Sequence, residues 1–385
     1  MMKQYVAQIN NFLDLKNNNL FFYWKARIAL YALLQAMGVQ KDDEVILPAY
    51  TCVVVPNAIL YLGAKPVYVD VCADSYNMDI TQVEQAITEC TKVVICQNTY
   101  GLSTDLEALN DLAKANNLYT IEDCTHGFGG VYNGIPNGLS CDAAIYSTQW
   151  NKPFSTGIGG FAITKNKDIS QKLIRLNADL IQPSVKERIN LKLLYFVKHF
   201  LINDTSYWVL VRFYRWLSKH NLVVGSSSGG EINSITMPEG YFKAFSQTQA
   251  KEGLRTLPKL NTDLIKRKQS AEIYTDFLIK HGKNYVAKQW FANHAFLKYP
   301  LLVNNRDEFM QVAEQHRIAL GEWFSSPLHP VEGDLSAWQF DAKQYPVATY
   351  LASHVVNLPT TPKDINRVLL FLERYQEFVV DRLLD

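Results

Sequence analysis

The chain has 385 residues, 48% of them apolar, enough for one large or two medium domains and incompatible with general disorder. Its 38 basic and 37 acidic side chains leave a net charge near +1, without the basic excess that nucleic-acid binding needs. Six cysteines without a C-x-x-C pair, a start without a basic-then-apolar leader and no run of 18 apolar residues predict a reducing, cytoplasmic protein with free thiols, no metal site and no spanning helix.

In chain order, residues 27–37 read as a helix stopped by Gly38, and EVILPA (44–49) as a short strand. PNAILYLGA (56–64) is a helix opened by proline, followed by the strand KPVYVD (65–70). Helix 81–88, strand 92–97, the amphipathic helix 105–117 and strands 118–123, 142–148 and 159–164 complete the set. Near-continuous apolar strands alternating with helices predict an α/β fold with a mostly parallel sheet covered on both faces. Residues 240–282 read mainly as helix, with Pro258 opening a new turn or kinking it. The segments 296–303, 307–318 and 363–380 predict a smaller α+β domain. The division expected is 1–235 for the large domain and 236–385 for the smaller one with its linking helix.

Ligands of such sheets sit at the carboxyl ends of strands, which singles out Asp123 and the stretch from Ser147 to Lys152. A lysine fixed and partly desolvated there can be a nucleophile toward a cofactor carbonyl, although a loop lysine taken alone is more often solvated. Asp123 can keep a pyridine nitrogen protonated, or serve as an ordinary turn aspartate. His126 can bond to or pack on a ring, or be a satisfied loop histidine. Ser147 can bind a phosphate, or simply end a strand.

The order E-D-x-x-H, S-x-x-x-x-K and G-x-G-G, each at a strand end, resembles the DegT/StrS-type family of sugar aminotransferases. The neighbouring text over about 21–165, 240–265 and, more loosely, 296–362 is similar too, including YPLLVNNRDEF, EWFSSPLHP and NLPTTP. The resemblance implies a fold-type I enzyme with a seven-stranded large domain, pyridoxal 5′-phosphate (PLP) as cofactor, and a homodimer sharing its active sites. It implies that Lys152 carries the cofactor, that Asp123 pairs with the pyridine nitrogen and that His126 stands near the ring hydroxyl. Ser147 and the helix start at Ala26 and Arg27 would hold the phosphate. The reaction implied moves an amino group from an amino acid, usually glutamate, to a keto sugar, nucleotide-linked, for cell-surface polysaccharide or a related glycan. A PLP-dependent sugar dehydratase or lyase, a lipid-linked acceptor and a regulator without turnover are the competing readings. Relatives that deoxygenate sugars replace the lysine with histidine, so Lys152 favours transamination.

Several positions depart from the family pattern. Cys52 stands where relatives often place a stacking aromatic, with Tyr50 as a substitute hypothesis. Ile158 and Gln149 replace a common glutamate and histidine, and Phe242 stands where an asparagine often reaches the neighbouring subunit. Arg27 replaces a Thr or Ser and could add a charge-assisted phosphate bond.

The segment 186–220 carries seven basic residues against Glu187 and Asp204, with Trp208, Phe213, Tyr214 and Trp216 interleaved. It reads as an amphipathic pair resting on an anionic membrane, or as a helical hairpin in the dimer, or as a lid.

Overall fold

The computed structural model describes residues 1–15, 19–201 and 229–382. Seven strands form the main sheet: β1 (Leu20–Tyr23), β2 (Glu44–Pro48), β3 (Lys65–Val69), β4 (Thr91–Gln97), β5 (Tyr119–Asp123), β6 (Ala143–Ser147) and β7 (Gly160–Thr164). Their spatial order is β1-β7-β6-β5-β4-β2-β3, and β7 alone runs against the others. The expected mostly parallel sheet is thus present. β5 and β6 are buried along nearly their whole length because helices cover both faces, which is why they read as unbroken apolar runs.

The helices of the large layer are α1 (Met2–Phe12), α2 (Ala26–Ala36), α3 (Val54–Leu60), α4 (Ile80–Ala86), α5 (Leu106–Ala115), α6 (Lys167–Leu176) and α7 (Val185–Phe196). α2 is buried at eight of its positions, among them Ile28, Leu30, Leu33 and Leu34, and packs into the principal core with Val45, Leu47, Val93 and Ile145. The predicted 240–282 helix is two: α8 (Gln247–Thr256) and α9 (Leu260–Lys280). The break is the 3₁₀ turn Leu257–Lys259, where Pro258 withholds a backbone N–H. α8 opens with a capping box between Ser246 and Gln249, and it packs with α1 through Ala250, Tyr5 and Ile9.

A second core joins α9 to β8 (Tyr299–Leu302), α10 (Arg306–Gln315), β9 (Val355–Leu358) and α12 (Ile365–Arg374), with α11 (Pro346–His354) leading into β9. β8 and β9 pair antiparallel. This layer reaches the large sheet at two seams. Leu328–His329 pairs in parallel with Thr51–Cys52, and the Ala295 N–H donates to the Gly101 carbonyl at 2.8 Å. Both seams lie at the carboxyl edge of the main sheet, so the small layer closes over the strand ends.

Candidate active site

Asp123 is the last residue of β5 and Ser147 the last of β6, two adjacent parallel strands. Lys152 lies in the loop that leaves Ser147 and returns into β7. That loop is pinned across its neck: Thr148 N–H donates to the Gly159 carbonyl at 2.9 Å, and Thr156 N–H to the Thr148 carbonyl at 2.7 Å. Within it, the Lys152 N–H donates to the Gln149 carbonyl at 3.0 Å, which fixes the turn bearing the amine.

One cavity gathers the parts. Lys152, Asp123, Ser147, Ala26, Arg27 and Cys52 all line it. Gly160 is why α2 can begin so close to the strand ends: a Cβ there would collide with the backbone of Ala26. The helix start, at Ala26 and Arg27, therefore lines the cavity, and a helix N-terminus is a natural anion cradle.

Burial, opposed by Cys52 and Asp123 and reinforced by Lys298 and Arg27, lowers the Lys152 amine from 10.5 to about 8. Burial likewise pushes the Asp123 carboxyl up, against the Thr125 hydrogen bond and the Lys152 charge, which pull it down. Its Oδ1 accepts from the Thr125 N–H at 2.9 Å. His126 is only 2% exposed and is held well below the usual imidazole range, by burial first and by Lys152 and Lys298 next. Its Nδ1 accepts from the Tyr100 N–H at 3.2 Å, which assigns the proton of the neutral ring to Nε2.

Six of the seven sequence-predicted residues meet in the cavity, and the seventh stands behind a residue that sequence reasoning missed. His126 stacks on the Trp323 ring, centroids 4.7 Å apart and 5° from parallel. The Lys152 amine sits 4.3 Å from the same ring centroid. Trp323 belongs to the EWFSSPLHP stretch, and its backbone is clamped: Asn357 accepts from its N–H at 3.0 Å, while Asn357 and Tyr100 donate to its carbonyl. Tyr50 does not line the cavity. Its hydroxyl bonds to that of Tyr100 at 2.7 Å, and its ring packs on Tyr100, Tyr76 and Phe324. The aromatic beside Lys152 is therefore Trp323, delivered by the small layer.

Two other departures have local explanations. The Arg27 guanidinium is committed to Glu231 at 2.6 Å, both side chains buried, so its charge is matched within the protein. Lys25 joins the same carboxylate at 3.4 Å. Phe242 packs against Tyr23 and Tyr31 of its own chain.

A lysine amine and a carboxylate at neighbouring strand ends of a mostly parallel sheet, beside a helix start, define a fold-type I PLP enzyme. Comparison with known proteins agrees. The model of the DegT/DnrJ/EryC1/StrS aminotransferase family matches residues 25–194 and 209–368, and the chain belongs to that family. The GDP-perosamine synthase of Escherichia coli O157:H7 is 38% identical over 147 residues, 38% of this chain and 40% of that protein. The L-glutamine:scyllo-inosose aminotransferase of Streptomyces griseus is 37% identical over 151 residues, 39% of this chain and 36% of that protein. Those alignments thus span well under half of each relative's length. The Bacillus subtilis protein NtdA, solved with its bound cofactor PMP, superposes with a TM-score of 0.72 at 20% identity, covering 97% of this chain and 76% of that one.

Proposed function

We propose that the protein is a PLP-dependent aminotransferase that takes an amino group from an amino acid, glutamate or glutamine, and gives it to a keto sugar. The observation that carries this reading is the single cavity holding Lys152, Asp123, Ser147 and the start of α2. The relatives named for sugar and inosose amination support the acceptor class, and the second of them is named for glutamine as donor. A nucleotide-linked acceptor, a role in glycan assembly and a homodimer belong to the same reading.

The residues fit the cofactor. Ser147 and the N–H groups opening α2 would take the phosphate, Asp123 the pyridine nitrogen and Lys152 the aldehyde carbon. Arg27 would contribute backbone more than charge, because Glu231 already neutralises it. Bound PLP supplies a carbonyl that accepts the amino group and a ring that stores the electron pair. With the cofactor bound, Lys152 would be the group that takes the proton from the donor's α-carbon and holds it for return, a general acid–base role. An amine lowered to about 8 suits this work, since near neutrality it can both give and take a proton. Asp123, dehydrated by its surroundings, gives a pyridinium nitrogen a full-strength partner.

The cycle is directly testable. Adding glutamate or glutamine should bleach the visible band of the lysine-bound cofactor, and adding a keto sugar should restore it. A dehydratase or lyase would release product without requiring the second substrate, and that outcome would replace this reading.

A second reading, contact with a membrane surface, has its own observation. On α7 the exposed residues Val185, Ile189, Leu193 and Phe196 recur along one side, continued by Phe200 beyond the helix. Lys186, Arg188 and Lys192 are exposed along its flanks, an apolar row edged with cations that suits an anionic lipid surface. The opposite side is structural, with Tyr195 donating to the Thr156 carbonyl at 2.7 Å in the loop of Lys152. The remainder of the aromatic–basic segment, including Trp208, Phe213, Tyr214 and Trp216, lies outside the described residues. Among the described residues no helix is long and apolar enough to cross a membrane. The pure protein should float with phosphatidylserine vesicles at low salt and lose that association when Ile189, Leu193 and Phe196 become serine; no flotation of the wild type excludes this contact.

A further inference from the structure

A second cavity is lined by Asn151, the chain neighbour of Lys152, and among others by Lys298, Glu322, Trp323 and His329. Lys298 comes from the residue just before β8 and is held over the strand ends by the contact between Ala295 and Gly101. Its amine lies 5.5 Å from the centroid of the same Trp323 ring that carries the Lys152 amine at 4.3 Å. The charge of Lys298 helps to lower the Lys152 amine, and His126 feels both lysines.

Lys298 is half-buried, and the partial withdrawal of its amine from water, reinforced by Arg267, lowers it from 10.5 to about 8. No ion pair joins it to any described residue. A partly dehydrated cation without an anion is costly, and proteins retain one where a ligand completes it. The anion required must lie near the reacting amine, because both lysines share one ring. It must also differ from the cofactor phosphate, whose cradle of Ser147 and α2 lines the other cavity.

The donor amino acid has such a group. Its α-carboxylate is attached to the carbon whose proton Lys152 moves, so it must sit within a bond of the proton's path. We propose that Lys298 is the binding residue for the α-carboxylate of the amino-acid donor. The assignment rests on the aminotransferase reading above and adds to it the residue that orients the donor. With the carboxylate held at Lys298, the α-carbon hydrogen is turned toward Lys152, while Trp323 walls the space between and excludes water. An oxyanion of the acceptor, the phosphate of a carrier, is the other source of the same chemistry, and it would meet Lys298 only in the second half of the cycle.

The two halves can be measured separately. In the donor half, the cofactor-loaded protein is mixed rapidly with glutamate or glutamine and the visible band is followed. In the acceptor half, the aminated form is mixed with keto sugar. Lys298→Met keeps the stem and removes the charge. It should raise the donor concentration for half-maximal rate about 10- to 100-fold, the loss of one charge-assisted hydrogen bond. The limiting rate of the donor half should fall as well, because the donor is no longer oriented, while the acceptor half should change less than about threefold and Lys298→Arg should recover most of the donor affinity. Calorimetry with glutarate, which has the carboxylate but no amine to react, should show binding to the wild type and weaker binding to Lys298→Met. Unchanged donor dependence in a folded Lys298→Met protein overturns the assignment, and so does a loss confined to the acceptor half, which would give Lys298 to the carrier phosphate. A wild type that no amino acid bleaches overturns the aminotransferase reading itself, and the assignment with it.

Discussion

Replacing Lys152 with alanine should reduce turnover by about 10³-fold or more, because the same amine is the attachment point and the proton carrier. Borohydride treatment followed by peptide mapping should place the cofactor on Lys152 in the wild type and find no adduct in the variant. The variant should not be less stable before loading. The folded protein holds this amine near 8 against an ordinary 10.5, so the unfolded chain binds its proton more readily. Stability from this group therefore rises with pH between those values, and at neutral pH it is a cost that alanine removes. A melting temperature equal to or above the wild type separates lost chemistry from lost fold. The same lowered value sets a pH signature. The neutral amine is the nucleophile and becomes the major form above about 8, so capture of PLP by the cofactor-free protein should accelerate as pH rises through that value and then level off. Acceleration continuing to the ordinary lysine range, or turnover surviving in Lys152→Ala, would remove Lys152 from this role.

The strands that position this chemistry were legible because burial on both faces leaves no polar alternation to disguise them. β4 and β6 fall within a residue of their expected limits. β1, just four residues at the sheet edge beside the reversed strand β7, is too short and too uniformly apolar to carry a strand period of its own. In the site, Asp123, Ser147 and Lys152 were readable because strand ends and a short loop bring them together along the chain. Trp323 and Lys298 were not, although both lie in stretches that resemble the family. Their placement depends on Asn357, Tyr100 and Gly101 joining two layers, and no local spacing encodes such a seam. The Arg27–Glu231 pair is hidden for the same reason, its partners being separated by most of the large layer. Tyr50 shows the limit of proximity in sequence: two residues from Cys52, it turns into the Tyr76–Tyr100–Phe324 cluster while Cys52 faces the cavity. The proton distribution was equally out of reach, since it follows from burial, which composition does not reveal.

Asp123→Asn tests the other end of the cofactor. The amide keeps the shape and can still accept from the Thr125 N–H, now at 2.9 Å from the carboxylate, so the loop after β5 should hold. What disappears is the buried negative charge that would keep a pyridine nitrogen protonated. Removing one member of a buried charge pair costs about 3–5 kcal/mol; if that loss falls on the barrier, turnover should drop about 10²- to 10⁴-fold. Here too stability runs the opposite way. Burial raises the Asp123 carboxyl above its ordinary 3.8, so its contribution falls as pH rises through that window and at neutral pH the unpaired carboxylate burdens the cofactor-free fold. Asn should leave the melting temperature of the cofactor-free protein unchanged or raised, yet narrow the gain in melting temperature on adding PLP, since the wild type alone regains an anion–cation pair on loading. A variant that is equally stabilised by PLP and turns over within a few-fold of the wild type would mean that Asp123 faces no ring nitrogen, and the orientation of the cofactor in the cavity would have to be reversed.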